Sequence, residues 1–210
     1  LGLGGLQLYK AEVAGPMKDV KLTPRIAQTA RGLWAVYFGL STACLLAYAW
    51  AGMNWSEAFM HMCSTMGLGG FSSRDASLGH WNSPAVEGVA IAFMALSGIS
   101  FARYFTVWRT RSARTLWLDP EVRVYLALLI ASSLILTLML AAHGVYPGVP
   151  EAFRAAAFHV VSLATTTGYA ATDYAQWPVF APVFMIFLGC FASCAGSTGG
   201  GIKMVRMLLL

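Results

Sequence analysis

The chain has 210 residues, of which 58% are hydrophobic and 11% are charged, and its mean hydropathy is +0.63. A soluble domain carries roughly twice this fraction of charged residues, so the composition indicates an integral membrane protein. The net charge of +5 does not indicate a nucleic-acid partner, because the basic residues lie at the ends of apolar runs.

The first half of the chain predicts one unit of four elements. Residues 1–31 are interpreted as a cytoplasmic linker, and the uncharged run 32–52 has the about 20 residues needed to cross a bilayer. Trp55 to Met66, "WSEAFMHMCSTM", predicts a helix that is too short to span, and a glycine-containing stretch follows at 67–72. A second span is predicted at 84–105.

The second half predicts the same order of elements after a basic linker at 106–121. Its predicted parts are a span at 122–142, a short helix at 151–164, a glycine stretch at 165–170, and a broken span at 177–210 with a loop at 195–201.

An internal repeat underlies this order, with an offset of 98 residues, the separation of Gly70 from Gly168. The fold class is therefore predicted as an all-α integral membrane protein of two tandem repeats. Four identities and one aromatic match share this offset: His61 with His159, Ser64 with Ser162, Gly70 with Gly168, Asp75 with Asp173, and Phe71 with Tyr169.

The distribution of Lys and Arg predicts the orientation. The linker 106–121 is rich in Arg, whereas the segments that hold the short helices contain only Arg74 and Arg154. By the positive-inside rule the linker is cytoplasmic, so both short helices enter the membrane from the outer face and return to it.

The glycine stretches need a reason to lie at membrane depth, where non-helical backbone must be buried in protein or line a watery cavity. In the second case, backbone carbonyls can replace the water around a cation. Glycine supplies the necessary backbone freedom, and the C-terminal dipole of the preceding short helix favours positive charge. We therefore interpret 67–72 and 165–170 as the two halves of an ion filter and call them the first and second filter strands.

Several sequence motifs carry a resemblance to a known family. "TTTGYA" resembles the filter strand of potassium channels, and "GLGGFSSRDAS", "TTTGYAATD" and "GCFASCAGSTGGGIKMVR" resemble the Trk/Ktr/HKT superfamily of potassium transporters, its Trk type most closely. The resemblance covers essentially the whole chain. Members have four span–pore helix–span repeats around one pore, and the resemblance implies that this chain holds the second and third.

The resemblance also implies site residues and an ion. It implies that potassium is the substrate, with glycine at both filter positions associated with preference for potassium over sodium. The implied ion-binding carbonyls and supporting aromatic rings are those of Leu68, Gly69, Gly70, Thr166, Thr167 and Gly168, with Phe71 and Tyr169 packed behind them.

The glycine-rich loop at 195–201, "AGSTGGG", is implied to be a gate beneath the filter. A phosphate-binding loop is excluded because Ile202, not Lys, follows the last glycine, and a flexible linker stays as an alternative. We expect deletion of 199–201 to raise ion flux and leave selectivity intact, since the filter lies above the loop. The implied gate residues are Gly196, Ser197, Thr198, Gly199, Gly200 and Gly201, with Lys203 either repelling cations or, as we favour, snorkelling to the cytoplasmic surface.

The function predicted from these features is potassium translocation across a bacterial cytoplasmic membrane by a multi-pass protein without a cofactor. The alternatives are a non-conducting scaffold or assembly subunit and a sodium-permeable member of the same superfamily. An enzyme is disfavoured, because the spans offer no Ser/His/Asp set at sensible spacing. Channel-like and ion-coupled transport both stay open.

The partners follow from composition and resemblance. Composition predicts the lipid bilayer and no nucleic acid. The resemblance implies two further repeats, a homodimer and a cytoplasmic nucleotide-binding regulatory subunit. We expect His61 and His159 to face protein, and Asp75 and Asp173 either to concentrate cations or to cap loops.

Overall fold

The computed structural model describes residues 26–205, and within them the regular structure is helical, with a single β-bridge between Ser193 and Lys203. An all-helical fold with apolar helices agrees with the predicted membrane fold class. Most of the predicted linker 1–31 and the last five residues of the final span lie outside the described residues.

The first repeat contains α1 (Ile26–Trp50), α2 (Trp55–Met66), α3 (Pro84–Ser97) and α4 (Phe101–Thr110). Pro84 lies in the first turn of α3, where its missing N–H costs nothing. Single 3₁₀ turns at Ser77–His80 and Tyr174–Gln176 follow the two filter strands.

The second repeat follows a short linker helix, α5 (Arg114–Trp117), and contains α6 (Pro120–Ala142), α7 (Val149–Ala164) and α8 (Phe180–Gly189). The Asp119 side chain caps α6 by accepting a hydrogen bond from the Glu121 N–H at 2.9 Å. Both α6 and α7 carry a proline in their first turn.

Among residues 26–205, two helices, α1 and α6, are long and apolar enough to cross a membrane by themselves. The short helices α2 and α7 have 12 and 16 residues. At 1.5 Å per residue they reach about 18 and 24 Å, which is less than the thickness of the hydrocarbon layer.

The second span of the first repeat differs from the continuous span expected at 84–105. It bends by 87° at a break between α3 and α4. The break falls at Gly98, Ile99 and Ser100, and Gly98 lies so close to the Tyr125 hydroxyl that a Cβ there would be 2.2 Å from it. Because Tyr125 also donates to the Ala95 carbonyl at 3.0 Å, α6 packs directly against the bend.

The helical part of the last span that precedes the loop is also shorter than expected. Helix α8 ends at Gly189, and irregular backbone begins at Cys190, before the predicted loop at 195–201. Ten residues reach only about 15 Å. At the 98-residue offset Gly98 corresponds to Gly196, so the short break of the first repeat aligns with part of the longer break of the second, which begins six residues earlier in the repeat.

The core lies around α7, which packs against α6, α3 and α8. Its alanine-rich face, with Ala152, Ala155 and Ala156 buried, lets the neighbouring helices approach closely. Large apolar side chains instead point outwards from the longest helices, and this surface fits a lipid environment. Examples are Trp34, Phe38 and Leu46 on α1 and Ile130, Leu134 and Leu138 on α6.

Candidate functional site

The two filter strands have matching backbones. Each leaves its short helix through matched backbone hydrogen bonds, two of which have equal lengths in the two strands, and each places two residues at positive φ. The matched bonds are Gly67 N to Cys63 O and Thr165 N to Val161 O, both 3.0 Å, and Gly69 N to Ser64 O and Thr167 N to Ser162 O, both 2.8 Å. The matched positive φ angles are 50° at Leu68 and 63° at Thr166, and 70° at Gly70 and 85° at Gly168.

The carbonyl oxygens of these strands are available to a ligand. Among residues 26–205, no N–H or hydroxyl donates to the carbonyls of 68–70 or 166–168. Unpaired carbonyls at membrane depth are costly unless another group replaces water around them. A desolvated cation is such a group, since each carbonyl oxygen carries partial negative charge.

The two strands meet at the first filter glycine. A Cβ on Gly70 would lie 2.0 Å from the Thr167 carbonyl oxygen, so only glycine allows this approach. A Cβ on Gly168 would meet no described atom within 4 Å, so that glycine is required by its φ alone. The predicted ion-binding residues of the two repeats are therefore brought together.

The aromatic residues behind the strands differ. Tyr169 is buried, and its hydroxyl lies 3.3 Å from both the His61 carbonyl and the Thr65 hydroxyl of α2. The Tyr48 hydroxyl of α1 forms a further hydrogen bond with the Thr65 hydroxyl at 2.8 Å, so Tyr169 and Tyr48 are linked through Thr65. Phe71 was expected to pack behind the first strand but is 80% exposed, because no described residue covers its ring.

The two histidines face protein, as expected. Both are fully buried, and the Nδ1 atom of each lies 2.8 Å from the carbonyl four residues earlier, of Glu57 for His61 and of Ala155 for His159. The Nε2 atom of His61 lies 3.0 Å from the Ser72 hydroxyl. That of His159 lies 3.2 Å from the Thr172 carbonyl, so each ring braces the segment after its filter strand.

The glycine-rich loop contacts the end of the short helix α2 in the first repeat and the second filter strand itself. Thr198 Oγ1 lies 3.1 Å from the Met66 carbonyl at the end of α2 and 3.3 Å from the Ser97 carbonyl at the end of α3. The Gly200 N–H donates to Thr166 Oγ1 at 2.8 Å. Lys203 differs from the expected snorkelling, because its ammonium turns back and donates to the Gly199 carbonyl.

The base of the loop is held by the break in the first repeat. Cys194 N donates to the Gly98 carbonyl and Phe101 N donates to the Gly196 carbonyl, both at 3.1 Å. The two breaks thus satisfy each other's backbone groups, as non-helical backbone in a membrane must. The Glu121 carboxylate also accepts from Ala195 N at 2.7 Å.

Sequence reasoning missed two of these anchors. The break at Gly98 had a signal, since the 98-residue offset pairs it with Gly196 in the loop. The sequence gives no comparable signal for Glu121, because a single carboxylate is common at the start of a membrane span. Arg103 and Asp119 form an ion pair beside it, with Nε and Oδ2 2.5 Å apart.

The outer side of the site carries an ion pair between the repeats. Arg154 of α7 donates to both carboxylate oxygens of Glu87 on α3, at 2.6 and 2.7 Å, and to Asn82 at 3.2 Å. Within residues 26–205 no cluster of His, Cys, Asp or Glu is suited to hold a metal ion. The carbonyl-lined strands are therefore the candidate cation site of the described part.

These features define an all-helical membrane protein in which two half-length helices bring glycine-containing strands together above an irregular loop. A family model described as "TrkH: Cation transport protein" matches residues 1–210. The chain belongs to this family of cation transport proteins.

Named relatives and a solved structure agree with this membership. The Trk system potassium uptake protein TrkH of Salmonella typhimurium is 43% identical over 210 residues, which are 100% of this chain and 44% of that protein. The TrkG protein of Escherichia coli is 39% identical over 210 residues, which are 100% of this chain and 43% of that protein. The crystal structure of the potassium transporter TrkH from Vibrio parahaemolyticus matches with a TM-score of 0.85 and 39% identity, over 89% of this chain and 40% of that one. The chain spans less than half the length of these relatives.

Proposed function

We propose that the chain forms half of a potassium-translocating pore in which the carbonyls of Leu68, Gly69, Gly70, Thr166, Thr167 and Gly168 replace the water around the ion. The observation that carries the proposal is that these carbonyls accept no hydrogen bond among the described residues, while the two strands touch. Relatives named as potassium uptake proteins support the choice of ion. Two further repeats, in the full-length protein, complete the ring.

The proposed chemistry is dehydration and not covalent catalysis. Carbonyl dipoles compensate the lost hydration of the ion, and the C-terminal ends of α2 and α7 add about half a negative charge each. Glycine at both filter positions agrees with potassium preference as the family resemblance implies. The process needs no cofactor.

The filter proposal is tested by transport in the full-length protein. Wild type should take up rubidium, a potassium substitute, into proteoliposomes, and Gly168→Ala should lower the preference for rubidium over sodium with folded yield largely intact. The reason is that Cβ is disfavoured at a φ of 85°. Gly39→Ala is the matched control, because Gly39 lies in α1 with open space around it. An unchanged preference in Gly168→Ala contradicts the filter assignment, and absence of rubidium uptake in wild type favours the scaffold alternative.

The loop at 195–201 is proposed as the gate. Its support is position, since it contacts the end of α2 and the second filter strand. Consecutive glycines also disfavour a helix by about 1 kcal/mol each, so the segment has little regular structure to lose when it moves. Deletion of Gly199 to Gly201 should raise basal rubidium flux. Unchanged flux in a folded deletion variant would indicate a linker.

The proposed location is the bacterial cytoplasmic membrane, with the linker 106–121 inside. Single cysteines at two exposed alanines, Ala113→Cys in the linker and Ala175→Cys beyond the second filter strand, test the orientation. The background should replace Cys63 and Cys190, which are exposed, and keep Cys44 and Cys194, which are buried. An impermeant maleimide on intact cells should label position 175 only, and labelling of position 113 alone reverses the topology.

The family resemblance extends the proposal to a homodimer and a cytoplasmic nucleotide-binding regulatory subunit. Light scattering of the purified full-length protein should give twice the monomer mass. Exposed arginines of the linker, Arg111 and Arg114, lie on the side proposed to face the cytoplasm. Replacing both by glutamine should weaken capture of the regulatory subunit, and unchanged capture excludes this surface.

A further inference from the structure

The tip and the base of the glycine-rich loop are held in different ways. The base is anchored by backbone hydrogen bonds from Cys194 to Gly98 and from Phe101 to Gly196. The tip is held on the site by two threonine hydroxyls, through Thr198 to the Met66 carbonyl and through Gly200 to Thr166. Gly196 and Gly201, both at positive φ, flank the tip and can act as its hinges.

Thr166 occupies a conformation that its own chemistry disfavours. A β-branched residue at a φ of 63° is strained and persists only where its surroundings hold it. Leu68, its equivalent in the first repeat, is also at positive φ, but it is buried with 5% of its surface exposed. Packing therefore holds Leu68.

Thr166 has no such packing, because it is exposed among the described residues. Its side chain is held by the 2.8 Å hydrogen bond from the Gly200 N–H. Its carbonyl is one of the six that accept no hydrogen bond among residues 26–205. When the loop tip withdraws, Thr166 loses this restraint, and the orientation of its carbonyl then depends on the 2.8 Å hydrogen bond from the N–H of Thr167, in the same peptide plane, to the Ser162 carbonyl.

We propose that Thr166 is a positioning residue that couples the glycine-rich loop to the filter, so that withdrawal of the loop tip lowers the ion selectivity of the filter at the Thr166 carbonyl. Thr198 is the second coupling residue, because it ties the same tip to the end of α2. The proposal rests on the proposed function, and it changes one expectation from the sequence. Loop and filter do not act separately, so deletion of the loop tip should alter selectivity as well as flux.

Isosteric substitutions in the full-length protein test the coupling. Thr166→Val removes the acceptor of the Gly200 N–H at nearly constant volume, and Thr166→Ser restores it. Basal rubidium flux and the sodium-to-rubidium uptake ratio should each rise about three- to tenfold in Thr166→Val, the effect of losing one hydrogen bond between neutral groups. Thr166→Ser should stay within about twofold of wild type.

Thr198→Val should raise basal flux in the same range, because it releases the tip from Met66. Thr137→Val is the matched control, since this buried threonine of α6 donates only along its own helix, to the Ser133 carbonyl at 2.6 Å. It should leave flux and uptake ratio as in wild type. A Thr166→Val protein that folds and keeps the wild-type ratio overturns the coupling.

The deletion of Gly199 to Gly201 decides the question even if Thr166→Val does not reach the membrane. The deletion removes the Gly200 donor and leaves Thr166 intact. A raised flux with a raised sodium-to-rubidium ratio supports the coupling, whereas a raised flux with an unchanged ratio overturns it and leaves the gate in place. Wild type that takes up no rubidium instead refutes the proposed function itself.

Discussion

The two filter strands share a backbone and differ in what holds it. Positive φ angles fall at matched positions in both, and two of the hydrogen bonds that lead out of each short helix have equal lengths in the two strands. The side chains, however, meet different neighbours. Gly70 lies against the Thr167 carbonyl and Gly168 lies in open space, while Tyr169 is buried and Phe71 is exposed. A duplicated sequence therefore reproduces local geometry, but the packing around each copy depends on its place in the assembly.

The largest difference between the strands should appear at their glycines. We expect Gly70→Ala to abolish rubidium uptake and to reduce the folded yield sharply, because its methyl group would meet a backbone oxygen at 2.0 Å. Gly168→Ala should cost only about 1–2 kcal/mol, the strain of a left-handed alanine. Size-exclusion yield and proteoliposome uptake measure both. Equal losses in the two variants would contradict the difference in crowding.

The aromatic pair should give the next largest contrast. Tyr169→Ala should lower the free energy of unfolding by about 3–5 kcal/mol, the usual cost of removing a buried aromatic ring. Phe71→Ala should change it by about 0.5 kcal/mol or less if its ring stays exposed in the full-length protein. Tyr169→Phe, which loses only the hydroxyl contacts with α2, should cost about 1 kcal/mol. Thermal unfolding in detergent measures the three, and a large effect at Phe71 would show that another part of the full-length protein covers it.

The ion pairs of the two repeats offer a third contrast. Glu87 is 4% exposed and joins the repeats through Arg154, whereas the Glu57 pair with Arg74 stays within the first repeat and is more exposed. Because the Arg154 side chain is one-third exposed, Glu87→Gln should cost about 2 kcal/mol, less than a fully buried pair. Glu57→Gln should cost about 0.5 kcal/mol. The same unfolding assay, repeated at high salt, checks both, and equal losses would remove the distinction.

The smallest effect concerns the acidic residues after the strands. Asp173 accepts from Ala175 N at 3.1 Å and from Gln176 Nε2 at 3.0 Å, so it caps the turn that follows. Asp173→Ala should therefore cost about 1 kcal/mol of stability and leave half-saturation for rubidium unchanged. A higher half-saturation concentration at low ionic strength would instead support a role in concentrating cations.

Much of the helical order follows from the sequence, because length, hydropathy and proline position are local properties. The short helix at Trp55–Met66 and the non-helical backbone at Gly70 and Gly168 needed no tertiary information. The repeat offset also carried information on the break in the first repeat, where Gly98 pairs with Gly196, but continuous hydropathy from 84 to 105 favoured one span. A hydropathy profile does not detect this bend, because the backbone groups at the bend are hydrogen-bonded to another segment and the residues around it stay apolar.

The remaining differences depend on contacts between distant parts of the chain. The Lys203 ammonium turns back because the Gly199 carbonyl lies within its reach. The snorkelling expected from the sequence considers only the distance to the membrane surface and not such a nearby acceptor. Glu121 holds the loop base through one backbone N–H 74 residues away in sequence. Phe71 and Tyr169 look equivalent in sequence, and only their neighbours distinguish them.

The 87° bend between α3 and α4 has a mechanical consequence. Ten residues at 1.5 Å each make α4 an arm of about 15 Å that leaves the axis of α3 almost at a right angle. Its pivot, Gly98 to Phe101, exchanges backbone hydrogen bonds with Cys194 and Gly196. A tilt of about 5° would move the far end of this arm by about 1 Å, and the hydrogen bonds at the pivot join the arm to the loop base.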